Sequence, residues 1–390
     1  MGFLLQLISN GGSRLVYMYL LGMLNQQAVD YASPHATLLA NANGLSALFS
    51  LNAYQYYLAQ QAKKAQTDLQ SCDTQFRLLL GAWVLAAGCM VIWGGTNQQV
   101  LPTIVAALAL ALPELTFTMA TALDKPWRAI LFYGGQALFF CGYALAIAHH
   151  AEPVRAAMYA SAPTLVVNIA AYLMLRDIAP PDLSWLARLV VLAQECRIRL
   201  GTLIASIPII ATPSAMVYGL NLSSKTSAQI PQMLLFSSFV GAIVFIMGNV
   251  FQHYGKSLIP RLLDIQHRRN HKALWVLLLG VFALCLCLTV PVELLLSFVR
   301  QSFQHQWAHN WNLYATVAAA GAVILQWCTV ISIHHGRTGP ILLSNLTYLL
   351  LASILAATTL YTDIHVFAIL AVCAALRSLI NVVEFTMAKR

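Results

Sequence analysis

Apolar runs separated by short polar or Pro/Gly-rich stretches repeat along the whole chain, and most runs are roughly 20 residues long. A helix of about 20 apolar residues crosses the hydrocarbon core of a bilayer. The pattern therefore predicts an all-α integral membrane protein with about twelve transmembrane helices. The predicted spans are about 3–24, 36–60, 78–95, 100–123, 129–149, 155–175, 200–221, 230–252, 273–291, 311–333, 338–361 and 364–387.

Lys and Arg are unequally distributed over the predicted loops. Successive loops are assigned alternately to the two sides of the membrane. The loops on one side then carry 17 Lys and Arg residues, and those on the other side carry three, Arg155, Lys225 and Arg300. Positive residues concentrate in the cytoplasmic loops of membrane proteins. We therefore expect both termini in the cytoplasm, which requires an even number of spans.

The longest predicted cytoplasmic connection divides the chain into two six-helix bundles. Trp185, Leu189 and Leu192 follow Pro181 at helical spacing, which predicts a separate interfacial helix in this connection. Bundles that both begin in the cytoplasm are parallel repeats, as in some secondary transporters. The predicted N-terminal lobe, cytoplasmic interfacial linker and C-terminal lobe are residues 1–178, 179–199 and 200–390.

Composition leaves little room for other kinds of protein. Apolar residues make up 59% of the chain and charged residues 9%, whereas about a quarter of a soluble domain is charged. The net charge of +9 is explained by cytoplasmic loops that attract anionic lipid, so membrane lipids are expected partners and nucleic acid is not. No CxxC pair, P-loop or G-x-S-x-G motif is present. We expect no metal site, no cofactor and no enzymatic activity.

Polar side chains inside the predicted spans are the candidate functional groups, because charge in hydrocarbon is costly. Several of them share helix faces at i, i+4 and i+7, and a bundle that turned these faces inward would contain one polar, partly cationic cavity. Arg377 shares such a face with Asn381 and Glu384. The candidate substrate-binding residues are Asn10, Arg14, Tyr17, Asn41, Asn52, Gln55, Asn168 and Arg377.

Glu114 follows Pro113 in the fourth predicted span. Proline removes a backbone hydrogen bond and kinks the helix, which leaves a carbonyl group free near the carboxyl group. We expect Glu114 to couple transport to an ion gradient. Structural alternatives remain open, since Arg14 and Glu114 could form a permanent ion pair, Arg377 could form a packing ion pair, and Asn and Thr commonly only join helices.

Two stretches of the C-terminal half indicate a family. The eighth span contains Leu234–Gly241 (LLFSSFVG) and is followed by His253–Arg261 (HYGKSLIPR), and the eleventh begins at Gly339-Pro340 and carries Asn345. In these stretches and in its two six-helix bundles with short loops, the chain resembles the Wzx-type polysaccharide (O-antigen) flippases of the multidrug/oligosaccharidyl-lipid/polysaccharide (MOP) exporter superfamily.

This resemblance implies a function. The cargo would be an undecaprenyl-diphosphate-linked oligosaccharide, such as an O-antigen or other surface polysaccharide unit, moved across the bacterial inner membrane by alternating access. A polysaccharide polymerase and a chain-length regulator are further expected partners. The family's cationic lumen corresponds to Arg14 and, more weakly, to Arg377; Arg would bind the diphosphate through charge-assisted hydrogen bonds, and Asn and Thr would bind the sugars.

Two other functions remain open. A small-solute secondary transporter would share the topology, although the Gly-x-x-x-Asp-Arg-x-Gly-Arg loop of major facilitators is missing between spans two and three. A membrane polymerase or ligase acting on lipid-linked sugars would need a large external loop with catalytic Arg or His. The longest predicted external loop, 292–310, holds Arg300, His305 and His309 but is short.

Overall fold

The computed structural model contains long helices joined by short connections. It describes residues 2–25, 27–50, 53, 65–92, 100–123, 129–176, 184–220, 222, 229–247 (except 231, 234, 238 and 245), 261–265 (except 263), 271–303, 311–359 and 365–387. Of the described residues 94% are helical and none is in a strand, so the all-α class is confirmed. The helices are α1 (Gly2–Asn25), α2 (Val29–Phe49), α3 (Ala65–Ile92), α4 (Val100–Ala122), α5 (Ala129–Ala148), α6 (Pro153–Arg176), α7 (Trp185–Leu220), α8 (His271–Phe303), α9 (Trp311–His334), α10 (Gly339–Thr358) and α11 (Val366–Met387).

Seven of the described helices are long and apolar enough to cross a membrane, namely α3, α4, α6, α8, α9, α10 and α11. Each of the eleven helices overlaps one predicted span, and the remaining predicted span, 230–252, overlaps helical residues within 229–247. A multi-pass membrane protein is therefore confirmed. The twelve-span, two-bundle layout and the cytoplasmic termini stay predictions.

Three helices extend more than ten residues beyond their predicted ends. The interfacial helix predicted after Pro181 is not separate, because α7 runs for 36 residues, from Trp185 to Leu220, without a break. Helix α8 continues to Phe303, so most of the external loop predicted at 292–310 is helical. Helix α3 begins at Ala65, well before the predicted start at 78. Hydropathy misses such extensions, because helices continue into the polar region beyond the hydrocarbon core.

Helix packing follows a similar order in the two halves of the chain. In the first half, α1 packs against α5, α5 against α6, α4 against α6, and α3 against α4. In the second half, α7 packs against α10, α10 against α11, α9 against α11, and α8 against α9. When the helical residues within 229–247 are counted as one helix, this helix and the eleven described above make twelve in chain order. Each helix of a second-half pair then comes six places after the corresponding helix of the first-half pair.

Contacts between connections agree with the alternating assignment of loops to two sides. The Tyr31 hydroxyl donates to the Ala151 carbonyl (3.0 Å), and both residues belong to connections assigned outside. Arg188 and Asp73 meet at connections assigned to the cytoplasm. In each of these two contacts, both partners belong to connections that the sequence assigns to the same side.

A cluster of charged residues joins α3, α6 and the first turns of α7. The Asp73 carboxylate accepts from Arg188 Nη1 (3.1 Å) and from Arg77 Nε (3.3 Å). It also accepts from the Tyr172 hydroxyl, which itself accepts from Arg77 Nε (2.8 Å). Since α7 packs on α2 and α3 as well as on α10, this cluster fixes the start of the helix that contacts both halves.

We predict that Asp73→Ala destabilises the protein. Arg188 is only 7% exposed, and removing one partner of a buried ion pair costs roughly 3 kcal/mol. The variant should therefore unfold at a lower temperature than the wild type in detergent. The matched control is Asp30→Ala, which removes an exposed carboxylate near the start of α2. Equal melting temperatures for wild type and Asp73→Ala would show that the cluster does not stabilise the fold.

Candidate functional site

A cavity of about 160 Å³ lies between α9, α10, α11 and the helical residues within 229–247. Its wall is mostly apolar, with Phe236, Leu325 and Leu370 among its side chains. The helices come close together on one side of it, because a Cβ atom at Gly321 in α9 would lie 2.8 Å from the Ala374 carbonyl oxygen in α11. Small residues permit such close packing of membrane helices.

Arg377 supplies the positive charge in this cavity. Its Nε donates to Asn345 Oδ1 in α10 (2.9 Å), and its guanidinium carbon lies 5.3 Å from the centre of the Tyr348 ring. No described residue forms an ion pair with Arg377 or bonds its terminal amino groups, and none of the cavity-lining residues is acidic. The packing ion pair considered from the sequence is thus not found among the described residues.

The cavity can therefore hold an anion. A guanidinium group presents its N–H donors in a fixed plane that matches the oxygens of phosphate and carboxylate groups. Beside a largely apolar wall such a contact is stronger than in water. The Tyr348 and Ser237 side chains also line the cavity and add hydroxyl groups that can donate to an anion.

Tyr17 and Asn41, two of the candidates in the first half, lie in α1 and α2. Tyr17 is buried, its hydroxyl accepts from Asn43 Nδ2 (3.1 Å), and its ring contacts Phe140. Asn41 is half-buried. Neither residue lines the cavity around Arg377.

Four other candidates are described incompletely. The structure places Asn10 and Arg14 in α1 by their backbone only, and Asn52 and Gln55 lie outside the described residues. The stripe of Asn10, Arg14 and Tyr17 on one face therefore stays a prediction.

Asn168 lies fully buried where α4, α5 and α6 meet. Its Nδ2 donates to the Thr164 carbonyl (2.8 Å), and its Oδ1 accepts from the Thr116 hydroxyl (3.4 Å). A Cβ atom at Gly135 would lie 2.8 Å from Asn168 Nδ2, so this glycine makes room for the amide. Asn168 thus links α4 to α6 by a hydrogen bond, as Asn and Thr commonly do between membrane helices.

Glu114 lies in α4 beside the end of α2. Its Oε2 accepts a hydrogen bond from the Ser50 hydroxyl (2.6 Å), and its backbone carbonyl accepts from the Thr118 hydroxyl (2.8 Å). The side chain is half-buried, and Pro113 precedes it within the helix. The structure thus places a carboxyl group inside the first half, away from the residues that line the Arg377 cavity.

Sequence reasoning did not assign a role in the site to Asn345 and Tyr348. They lie at i and i+3 in α10, a polar amide and a phenol on one face of an apolar helix, and this spacing is the signal that could have indicated them.

Among the residues that the structure describes, no three His, Cys, Asp or Glu side chains come together to hold a metal ion.

Comparison with known proteins decides the fold. No protein-family model and no curated protein matches the sequence. Solved structures match it over nearly its whole length, among them the eukaryotic MATE transporter AtDTX14, with a TM-score of 0.55, 10% identity and coverage of 100% of this chain and 97% of that one. An inward-facing multidrug resistance MATE family transporter of the MOP superfamily matches with a TM-score of 0.55 and 11% identity, over 97% of this chain and 93% of that one. The lipid II flippase MurJ in its inward closed conformation matches with a TM-score of 0.55 and 11% identity, over 97% of this chain and 86% of that one.

The chain has the fold of the MOP-superfamily transporters. The sequence resemblance to this superfamily is thus accompanied by a likeness in fold. At 10–11% identity the likeness concerns the fold alone. Because a lipid II flippase and multidrug resistance transporters share the MOP fold, the fold does not distinguish between these classes of cargo.

Proposed function

We propose that this protein is a Wzx-type flippase, which moves an undecaprenyl-diphosphate-linked oligosaccharide across the bacterial inner membrane. The observation that carries the proposal is the Arg377 cavity, where a cation with unbonded terminal amino groups faces a space without acidic residues in the described part of the chain. A cargo with a diphosphate group provides the anion that such a site binds.

The cavity supports a site for the charged group of the cargo. Its volume is about 160 Å³, and Arg377, Tyr348 and Ser237 on its wall provide N–H and O–H donors for a phosphate or diphosphate group. In the proposed cycle the sugars enter when the two halves separate, while the lipid tail stays in the bilayer. Polar residues of α1 and α2, including Asn10, Tyr17 and Asn41, would then bind the sugars, and Arg14 would provide a second contact to the diphosphate.

Further parts of the proposal follow from this cargo. The protein acts as a transporter without enzymatic activity or cofactor, and it delivers its cargo to a polysaccharide polymerase and a chain-length regulator. Transport of a small anionic solute is the second candidate, because the cavity volume and the MOP fold suit it as well. A polymerase or ligase is disfavoured, since α8 extends to Phe303 and shortens the external loop that would carry its catalytic residues.

A deletion strain tests the proposal. A flippase defect should leave lipid-linked repeat units on the cytoplasmic face of the inner membrane, where external glycan-modifying reagents do not reach them. The plasmid-borne wild-type gene should restore their exposure and polymerisation. Units that are exposed outside but unpolymerised would show a polymerase, and normal surface polysaccharide with loss of a small anion's transport would show the second candidate.

A further inference from the structure

Asn345 connects three helices through its side-chain amide. It is 1% exposed, its Oδ1 accepts from Arg377 Nε in α11 (2.9 Å), and its Nδ2 donates to the Ala205 carbonyl in α7. The orientation of the amide is determined by its partners, because a guanidinium group only donates and a carbonyl group only accepts. Both hydrogen bonds are needed to connect α7 to Arg377 through Asn345.

The contacts of Arg377 restrict how an anion can reach it. A guanidinium group has five N–H donors in one plane, and Asn345 accepts from the one on Nε. The Tyr348 ring lies against the guanidinium, 5.3 Å from its central carbon. The edge formed by the two terminal amino groups is the part that no described residue bonds. An anion with two oxygens can bind along this edge through two parallel hydrogen bonds.

We propose that Asn345 is a positioning residue, which fixes the Arg377 guanidinium so that its terminal edge faces the cavity and selects a phosphate or diphosphate group. This inference rests on the proposed function, because it concerns the same site. Without Asn345 the Arg377 side chain keeps its charge but can rotate about its terminal bonds, and a flexible cation binds an anion with less geometric selectivity.

A ligand-free experiment tests the positioning directly. In the detergent-solubilised full-length protein with nitrogen-15-labelled arginine, the Arg377 Nε–H signal is assigned by its absence in Arg377→Lys. Its exchange with solvent should be slow in the wild type and at least about tenfold faster in Asn345→Ala, because a partly buried hydrogen bond is lost. The matched control is Asn381→Ala, which removes a buried amide bonded to the Arg377 carbonyl and not to its guanidinium.

A binding experiment tests the selectivity. Farnesyl diphosphate in detergent micelles is the probe, and farnesol is the uncharged comparison. Asn345→Ala should bind the diphosphate roughly tenfold more weakly than the wild type, the effect of losing one hydrogen bond to a charged group. In the Arg377→Lys background the same substitution should have little further effect, because the group that Asn345 positions is gone.

The outcomes separate the two proposals. Unchanged Nε–H exchange in Asn345→Ala would overturn the positioning role, and so would an equal loss of diphosphate binding in both backgrounds, which indicates a purely structural residue. Wild-type binding of farnesyl diphosphate by Arg377→Ala would instead overturn the anion site, and with it the proposed function and the selectivity. A lower melting temperature together with unchanged affinity would also contradict the inference.

Discussion

Replacement of Arg377 by alanine should abolish transport while leaving the protein folded. Removing one member of a desolvated pair of opposite charges costs about 3 kcal/mol, which corresponds to roughly a hundredfold loss of affinity for an anionic cargo. Because Arg377 forms no ion pair with a described residue, its loss leaves no described buried carboxylate without a partner. The measurement is export of lipid-linked oligosaccharide in the deletion strain, together with the melting temperature of the purified variant.

Arg377→Lys is the informative companion of this variant. Lysine keeps the positive charge but loses the planar fork, so export should fall less than in Arg377→Ala and not reach the wild-type level. The matched control is Arg155→Ala, which removes an exposed arginine near the start of α6. Full export by a folded Arg377→Ala protein would show that this cation only packs α10 against α11.

The positions of the helices could be predicted from the sequence because lipid-facing helices require uninterrupted apolar runs. The same reasoning failed where helices leave the hydrocarbon core. The start of α3 carries Asp68, Asp73 and Arg77, and these residues lower the local hydropathy without ending the helix. The ion pair of Asp73 with Arg188 depends on the packing of α7, which no local sequence pattern indicates.

The candidate site was predictable only in part. Arg377 was identifiable because an arginine within an apolar span is rare, and the structure places it in a cavity. Its partner Asn345 lies 32 residues away in the sequence, and Ala205 lies 140 residues from Asn345. Such contacts are set by how α7, α10 and α11 pack. The Arg377 cavity is lined by residues between Phe236 and Arg377. A single cavity lined from helices of both halves stays a prediction.

The second large effect concerns Glu114, for which we predict a role in coupling transport to a proton gradient. The Ser50 hydroxyl donates to Glu114 Oε2 at 2.6 Å. A hydroxyl group both donates and accepts, so Ser50 can bond the carboxylate and can also accept from the protonated carboxyl group. The site therefore accommodates either protonation state without moving the backbone of α2 or α4, as a group that binds and releases a proton requires.

Glu114→Gln should fold and bind cargo but should no longer respond to an imposed pH gradient in proteoliposomes, because glutamine keeps the shape and a hydrogen bond to Ser50 but cannot release a proton. With one proton exchanged per cargo, a gradient of one pH unit changes the accumulation ratio by up to about tenfold, and this dependence should disappear in the variant.

Ser50→Ala is the control, since it removes the hydroxyl group and keeps the carboxyl group. Under the structural alternative, a permanent ion pair with Arg14, Glu114→Gln would lose stability and recover it when Arg14 is also neutralised. Gradient-driven transport at the wild-type level by a folded Glu114→Gln protein would contradict coupling through this residue.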